Sequence, residues 1–159
     1  MTADDDRFSD QGETIYDFSE EFLVVCPRCA ALAKVIPVEP DSKEFARRLF
    51  APRRLICSTC VYRDLFNGRT IGLGANVDWY FRQPLWLQIS CCGETLWAYN
   101  LKHLEFIENY VAAKLRRRTP NINKSMASRL PQWLKSAKNR DEIFRAIAKL
   151  KGKLDRQCT

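Results

Sequence analysis

Two Cys-x-x-Cys pairs constrain the fold of this 159-residue chain more than any other feature: Cys26 with Cys29, and Cys57 with Cys60. The two-residue spacing lets both thiolates of a tight turn reach one metal ion, and two such turns supply the four sulfur ligands that suit tetrahedral zinc. Apolar residues flank each pair on both sides, which predicts a β-hairpin with the pair at its turn. We therefore predict that these four cysteines bind one Zn²⁺.

Two other interpretations of the cysteines are less consistent with the sequence. A disulfide framework would use an even number of cysteines, whereas the chain has seven. Residues 1–14 are polar and acidic and contain no apolar run of signal-peptide length, so we expect a reducing compartment and a cytoplasmic location. A thioredoxin-like redox motif would need one Cys-x-x-Cys pair near a strand–helix–strand pattern, not two hairpin-like copies.

The order strand, metal-binding turn, strand, repeated twice, is the plan of a zinc ribbon. Over about residues 20–100 the sequence resembles zinc ribbons, most closely those of the transcription-factor-B type. The resemblance implies an architecture and leaves the function open. Residues 30–56, between the two pairs, exceed the roughly 15–20 residues usual at this place. A capping box at residues 41–44 predicts that a short helix, ending before Pro52, occupies the extra length and leaves the two turns free to meet.

A third strand–turn–strand unit is expected around Cys91, Cys92 and Gly93, after a predicted strand from Trp79 to Leu87. Adjacent cysteines diverge along an extended backbone, so packed thiols are the simpler interpretation. Replacement of one of the four zinc ligands, or a redox role, stays open. The single histidine, His103, is expected to cap a helix or to lie on the surface. Because no catalytic motif is present, we expect a binding protein and not an enzyme.

Positive charge is concentrated in the last third of the chain. Residues 1–100 carry 11 basic and 14 acidic side chains, whereas residues 101–159 carry 15 basic and 5 acidic ones, a net charge of +10. Helical spacing predicts one helix from about residue 101 through Leu115, with three arginines in its last turn, and two shorter helices beyond it. The predicted nucleic-acid-binding residues, all on this basic segment, are Arg116, Arg117, Arg118, Lys124, Arg129, Lys135 and Lys138.

The sequence thus predicts an α+β fold, in which a zinc-ribbon-like antiparallel sheet precedes a long helix and a C-terminal helical hairpin. The predicted domains are a disordered acidic N-terminus (1–14), a zinc-ribbon domain with a packed helix (15–118) and a basic helical tail (119–159). DNA or RNA is the favoured partner, through phosphate contacts of the tail. A protein-interaction module, or an adaptor subunit of a larger complex, is the alternative. No apolar run is long enough for a membrane span, so no membrane association is expected.

The aromatic residues Trp79, Tyr80, Phe81 and Trp86 admit two interpretations. On an exposed face they could stack on unpaired bases, as aromatic side chains do in proteins that bind single strands. In a small sheet they would instead form the hydrophobic core, which is the interpretation we favour.

Overall fold

The computed structural model describes residues 7–9, 12–39, 49–68, 70–113, 115–117 and 126–157, and its fold is mixed α+β, as predicted. The strands are β1 (Arg7–Ser9), β2 (Phe22–Val25), β3 (Leu32–Pro37), β4 (Arg53–Cys57), β5 (Arg63–Phe66), β6 (Leu87–Cys91), β7 (Glu94–Ala98) and β8 (Leu115–Arg117). The α-helices are α1 (Leu101–Ala112), α2 (Met126–Arg129), α3 (Gln132–Lys135) and α4 (Arg140–Asp155).

These elements form two compact units. The sheet unit comprises residues 20–88 and 97–100, and the helical unit comprises residues 1–19, 89–96 and 101–159. Compactness does not establish independent folding, so the predicted domain boundaries stay predictions. The short helix predicted from residue 41 lies largely outside the described residues.

The sheet unit is built on a four-stranded antiparallel meander in the order β2-β3-β4-β5. Alternation along β3 buries Ala33 and Val35 and exposes Lys34, as expected for a strand with one face on the core. The core centres on Phe22, whose ring packs against Trp79 and Tyr99 with centroid distances of 5.2 and 5.1 Å. The two predicted hairpins are therefore present as consecutive strands of one sheet.

The predicted strand from Trp79 to Leu87 is wrong, because only its last residue lies in a strand. The buried Asp78 carboxylate accepts hydrogen bonds from the backbone N–H groups of Tyr80, Phe81 and Gln83 at 2.9, 2.7 and 2.6 Å. These bonds close a turn, and continuous strand geometry begins only at Leu87. The aromatic content of this run predicted a strand. The Asp78 carboxylate instead accepts hydrogen bonds from the backbone N–H groups that would otherwise pair with a neighbouring strand.

The helical unit packs α1 against α4. Ile107 and Val111 on α1 and Ile143 and Ile147 on α4 are buried, at the three- and four-residue spacing that the sequence predicted. The Lys151 ammonium group forms an ion pair with the Glu108 carboxylate at 2.8 Å.

Two predicted features of this unit differ in the structure, and a third agrees with it. Helix α1 ends at Ala112, and Leu115 begins strand β8, so Arg116 and Arg117 do not form the last turn of a helix. The β1 strand, which pairs in parallel with β8, lies within the N-terminal segment expected to be disordered. Pro131 lies between α2 and α3, where the sequence predicts a kink or a new helix start, because proline cannot donate a backbone hydrogen bond inside a helix.

His103 lies in the core of the helical unit, which corrects its predicted place at a cap or on the surface. Only 2% of the residue is exposed, and its ring lies 5.2 Å from that of Phe18. Phe106 packs edge-on against the same Phe18 ring. Burial disfavours the charged imidazolium and lowers the pKa of His103 to about 3.

We predict that this histidine makes the helical unit acid-sensitive. Between pH 6.5, the ordinary pKa of histidine, and about pH 3, His103 is protonated in the unfolded chain but neutral in the folded chain. Lowering the pH through this range should therefore reduce the free energy of unfolding, by at most about 1.4 kcal/mol per pH unit. His103→Phe preserves the aromatic packing but cannot titrate, so its urea-unfolding free energy should fall less steeply. Equal slopes for the two proteins would contradict the prediction.

Candidate metal centre

The two Cys-x-x-Cys turns lie at the same end of the four-stranded sheet. Cys26 directly follows β2, and Cys57 is the last residue of β4. The β3–β4 register pairs Ala33 with Cys57, which brings the β4–β5 turn level with the β2–β3 turn. Backbone hydrogen bonds from Cys26 N–H to the Ala31 carbonyl (2.8 Å) and from Cys57 N–H to the Tyr62 carbonyl (2.9 Å) close the two turns in the same way.

The four sulfur atoms form a compact cluster. The Sγ atoms of Cys26 and Cys60 are 3.6 Å apart, as are those of Cys29 and Cys57, and all four lie within 4.8 Å of one another. A regular tetrahedron with zinc–sulfur bonds of about 2.3 Å has sulfur–sulfur edges of about 3.8 Å. The cluster therefore has the size and ligand chemistry of a zinc-ribbon-like metal site on a small antiparallel sheet.

The thiols influence one another's ionisation. Burial opposes ionisation of Cys26, but hydrogen bonds from backbone N–H groups, including that of Arg28 at 3.4 Å, and from neighbouring thiols lower its pKa to about 7. For Cys29, the Ala31 N–H group favours the thiolate, but burial and the other three thiols outweigh it and raise the pKa to about 12. Ionisation of Cys26 therefore makes ionisation of Cys29 less favourable. A cation at the centre of the cluster would favour the thiolate form that metal binding requires.

Each turn also contains a left-handed residue directly after its second cysteine: Ala30 at φ 62° and Val61 at φ 57°. This backbone region suits glycine and is unfavourable for a β-branched side chain. The Val61 side chain is 73% exposed, so core packing does not account for valine at this position. The turn geometry is therefore maintained despite the local conformational cost.

The predicted nucleic-acid-binding residues that the structure describes lie on several different elements, and their role stays a prediction. Arg129 and Lys138 are exposed, and Lys135 is half-buried, on or next to the short helices α2 and α3. Arg116 and Arg117 belong to β8, whereas Arg118 and Lys124 lie outside the described residues.

Burial contradicts the stacking interpretation of the four aromatic residues, which was the less favoured of the two. Trp79, Tyr80 and Trp86 are almost fully buried, and Phe81 is partly so. These rings form the hydrophobic core of the sheet unit, which confirms the interpretation we favoured from the sequence.

Cys91 and Cys92 form a second cluster, separate from the four-cysteine site. Their Sγ atoms are 3.6 Å apart, and the Glu142 carboxylate completes a group of three potential ligands within 4.8 Å. In the sequence, Asn139 and Glu142 have the spacing and residue types of a capping box at the start of α4. In the structure, Asn139 makes no side-chain cap hydrogen bond, and Glu142 instead accepts a hydrogen bond from Cys92 N–H at 2.9 Å. No local signal could have revealed this partner, because the two residues are 50 positions apart.

Comparison with protein-family models, curated proteins and solved structures finds no match. The zinc-ribbon resemblance therefore rests on the cysteine spacing and the sheet geometry alone. No helix in the described part of the chain is long and apolar enough to cross a membrane.

We predict that Val61→Gly stabilises the metal-loaded protein by about 1 kcal/mol, because glycine adopts the left-handed conformation without a steric penalty. Thermal and urea unfolding of the zinc-loaded protein would measure the gain. Val38→Gly is the control: Val38 has no positive φ, so glycine there should destabilise through its greater chain entropy. If both substitutions destabilise equally, the conformational cost assigned to Val61 is wrong.

Proposed function

We propose that Cys26, Cys29, Cys57 and Cys60 bind one Zn²⁺ and that this ion stabilises a zinc ribbon of the transcription-factor-B type. The sulfur–sulfur distances of 3.6 Å within the cluster support zinc, and four protein ligands fill its tetrahedral shell. A filled shell has no open position for substrate or water. The proposed role of the ion is therefore structural, and the chain is proposed to be a binding protein and not an enzyme.

This proposal predicts that removing one ligand unfolds the sheet unit. Structural zinc contributes on the order of 10 kcal/mol in small domains, comparable to the whole stability of a domain. Cys29→Ser should therefore lose the ion of this site and produce an unfolded or aggregating protein. Cys158→Ser removes a thiol near the end of the chain and should leave zinc content and melting temperature unchanged. A Cys29→Ser protein that keeps its zinc content and melting temperature would refute the proposal.

We further propose that the basic C-terminal segment binds DNA or RNA. The net charge of +10 on residues 101–159 is the observation that carries this proposal. On α4, the exposed Arg145 and Lys149 are four residues apart and therefore share a helix face. Arg129 and Lys138 add exposed positive charge on the preceding segment. Such a surface attracts the phosphate backbone and steers a polyanion toward it.

Phosphate contacts, and not base reading, are the expected mode of binding. The buried Trp79, Tyr80 and Trp86 rings cannot stack on bases without unfolding the core. Charged contacts to phosphates carry no direct sequence information. Affinity should therefore depend weakly on sequence and steeply on salt concentration.

The decisive measurement is the salt dependence of binding to short DNA and RNA duplexes and single strands. Arg145→Gln combined with Lys149→Gln should weaken binding to all sequences and reduce the slope of log K against log salt by up to about 2. Replacing Arg116, Arg117 and Arg118 with alanine should reduce it by up to about 3.

The matched control removes the same charge from the sheet unit. Arg54 and Arg63 are exposed there, so their double glutamine variant should retain the wild-type slope. Equal losses in both double variants would indicate a general charge effect and would contradict a site on the C-terminal segment.

A protein partner is the second candidate, and one feature of the sheet unit supports it. Strand β5 ends the order of the four-stranded sheet, where Leu65 is 53% exposed and the nearby Val61 is 73% exposed. Edge strands with exposed apolar side chains are sites where another chain can pair. The C-terminal helices support this role less, because Leu134 and Ile143 are buried. Absence of DNA and RNA binding at about 50 mM salt would favour this candidate.

A further inference from the structure

The tip of the β6–β7 hairpin brings two thiols and a carboxylate together within the helical unit. Cys91 is the last residue of β6, and Cys92 begins the two-residue turn before β7. Their Sγ atoms are 3.6 Å apart, and the Glu142 carboxylate oxygen is 2.9 Å from the Cys92 backbone nitrogen. One potential ligand atom from each residue lies within 4.8 Å of the other two.

Neighbouring residues of a strand direct their side chains to opposite faces, so two adjacent thiols do not normally converge. Cys92 instead has a left-handed backbone conformation, with φ 56°, which departs from strand geometry. This departure allows the two adjacent thiols to converge. Gly93 follows at φ 76°, and two consecutive positive φ values characterise the tight hairpin turn in which Asn-Gly is favoured. Cysteine adopts this conformation at a steric cost that asparagine or glycine would reduce.

Glu142 has a structural role that explains only part of this arrangement. Its hydrogen bond to Cys92 N–H accounts for one carboxylate oxygen at the hairpin tip. That bond needs only the backbone of residue 92, so it explains neither thiol. The Cys92 thiol also makes side-chain hydrogen bonds with Glu142 and Cys91. A cation that prefers sulfur ligands would take the place of the thiol protons among these three groups.

We propose that Cys91, Cys92 and Glu142 form a second metal site, for a sulfur-preferring divalent cation of the zinc class. Two thiolates and one carboxylate are ligands that zinc accepts, and three protein ligands leave one tetrahedral position for water or an external ligand. This site differs from the four-cysteine site, whose tetrahedral shell is filled by protein. Because it has fewer thiolates, the second ion should be the first that a chelator removes.

The test is a titration of the reduced, metal-free full-length chain with Zn²⁺ and, separately, with Co²⁺ as a spectroscopic probe. Wild type should bind two ions per chain, and Cys92→Asn should bind one. Asparagine suits the left-handed turn position, so this variant retains the hairpin while removing a ligand. Glu142→Gln should weaken binding of the second ion. Glu94→Gln is the control: it removes an exposed carboxylate outside the cluster and should leave both ions bound.

The two sites fail in distinguishable ways. One ion in both wild type and Cys92→Asn would overturn the second site and leave the four-cysteine site in place. One ion in wild type and none in Cys92→Asn would support the second site and overturn the four-cysteine site. Wild type that binds no ion would overturn both.

Discussion

Repulsion between like charges is the constraint around which the sheet unit is organised. Four sulfur atoms lie within 4.8 Å of one another, and thiolates held this close repel one another unless a cation lies between them. The structure nevertheless brings them together at one end of a sheet whose register aligns both turns. A divalent ion at their centre would convert this repulsion into a cross-link between two hairpins. The long connection between the cysteine pairs matters little for stability, since the entropy of closing a loop grows only slowly with its length.

The parts of the fold that sequence could predict are those determined by nearby residues. The strands around the cysteine turns and the apolar spacing of α1 and α4 follow from alternation and helical periodicity. The structure departs from prediction where a single side chain or distant packing decides the outcome. Asp78 closes a turn in a run that reads as a strand. His103 packs against Phe18 on the buried face of α1, although its ionisable side chain suggested a place at a cap or on the surface.

The candidate sites divide in the same way. A Cys-x-x-Cys pair can be recognised in a sequence because one turn supplies two metal ligands, and the second pair gives the same signal of a metal site. The group of Cys91, Cys92 and Glu142 has no such signature, since its carboxylate comes from a helix 50 positions away. In the sequence, Glu142 also matches the last position of a capping box at the start of α4, but the structure does not form that capping box. Local motifs therefore fail as predictors where a distant backbone group competes for the same side chain.

The burial of side chains limits which surfaces of each unit can bind a partner. In the sheet unit, the large aromatic rings form the core and therefore present no surface for recognition. Two of its exposed apolar residues, Val61 and Leu65, lie on β5 and the adjoining turn, a place suited to a second polypeptide. The helical unit instead buries its apolar stripe between α1 and α4 and exposes basic residues such as Arg145 and Lys149. An anionic partner and a protein partner would therefore be recognised by different units, which makes the two proposals separable by substitution.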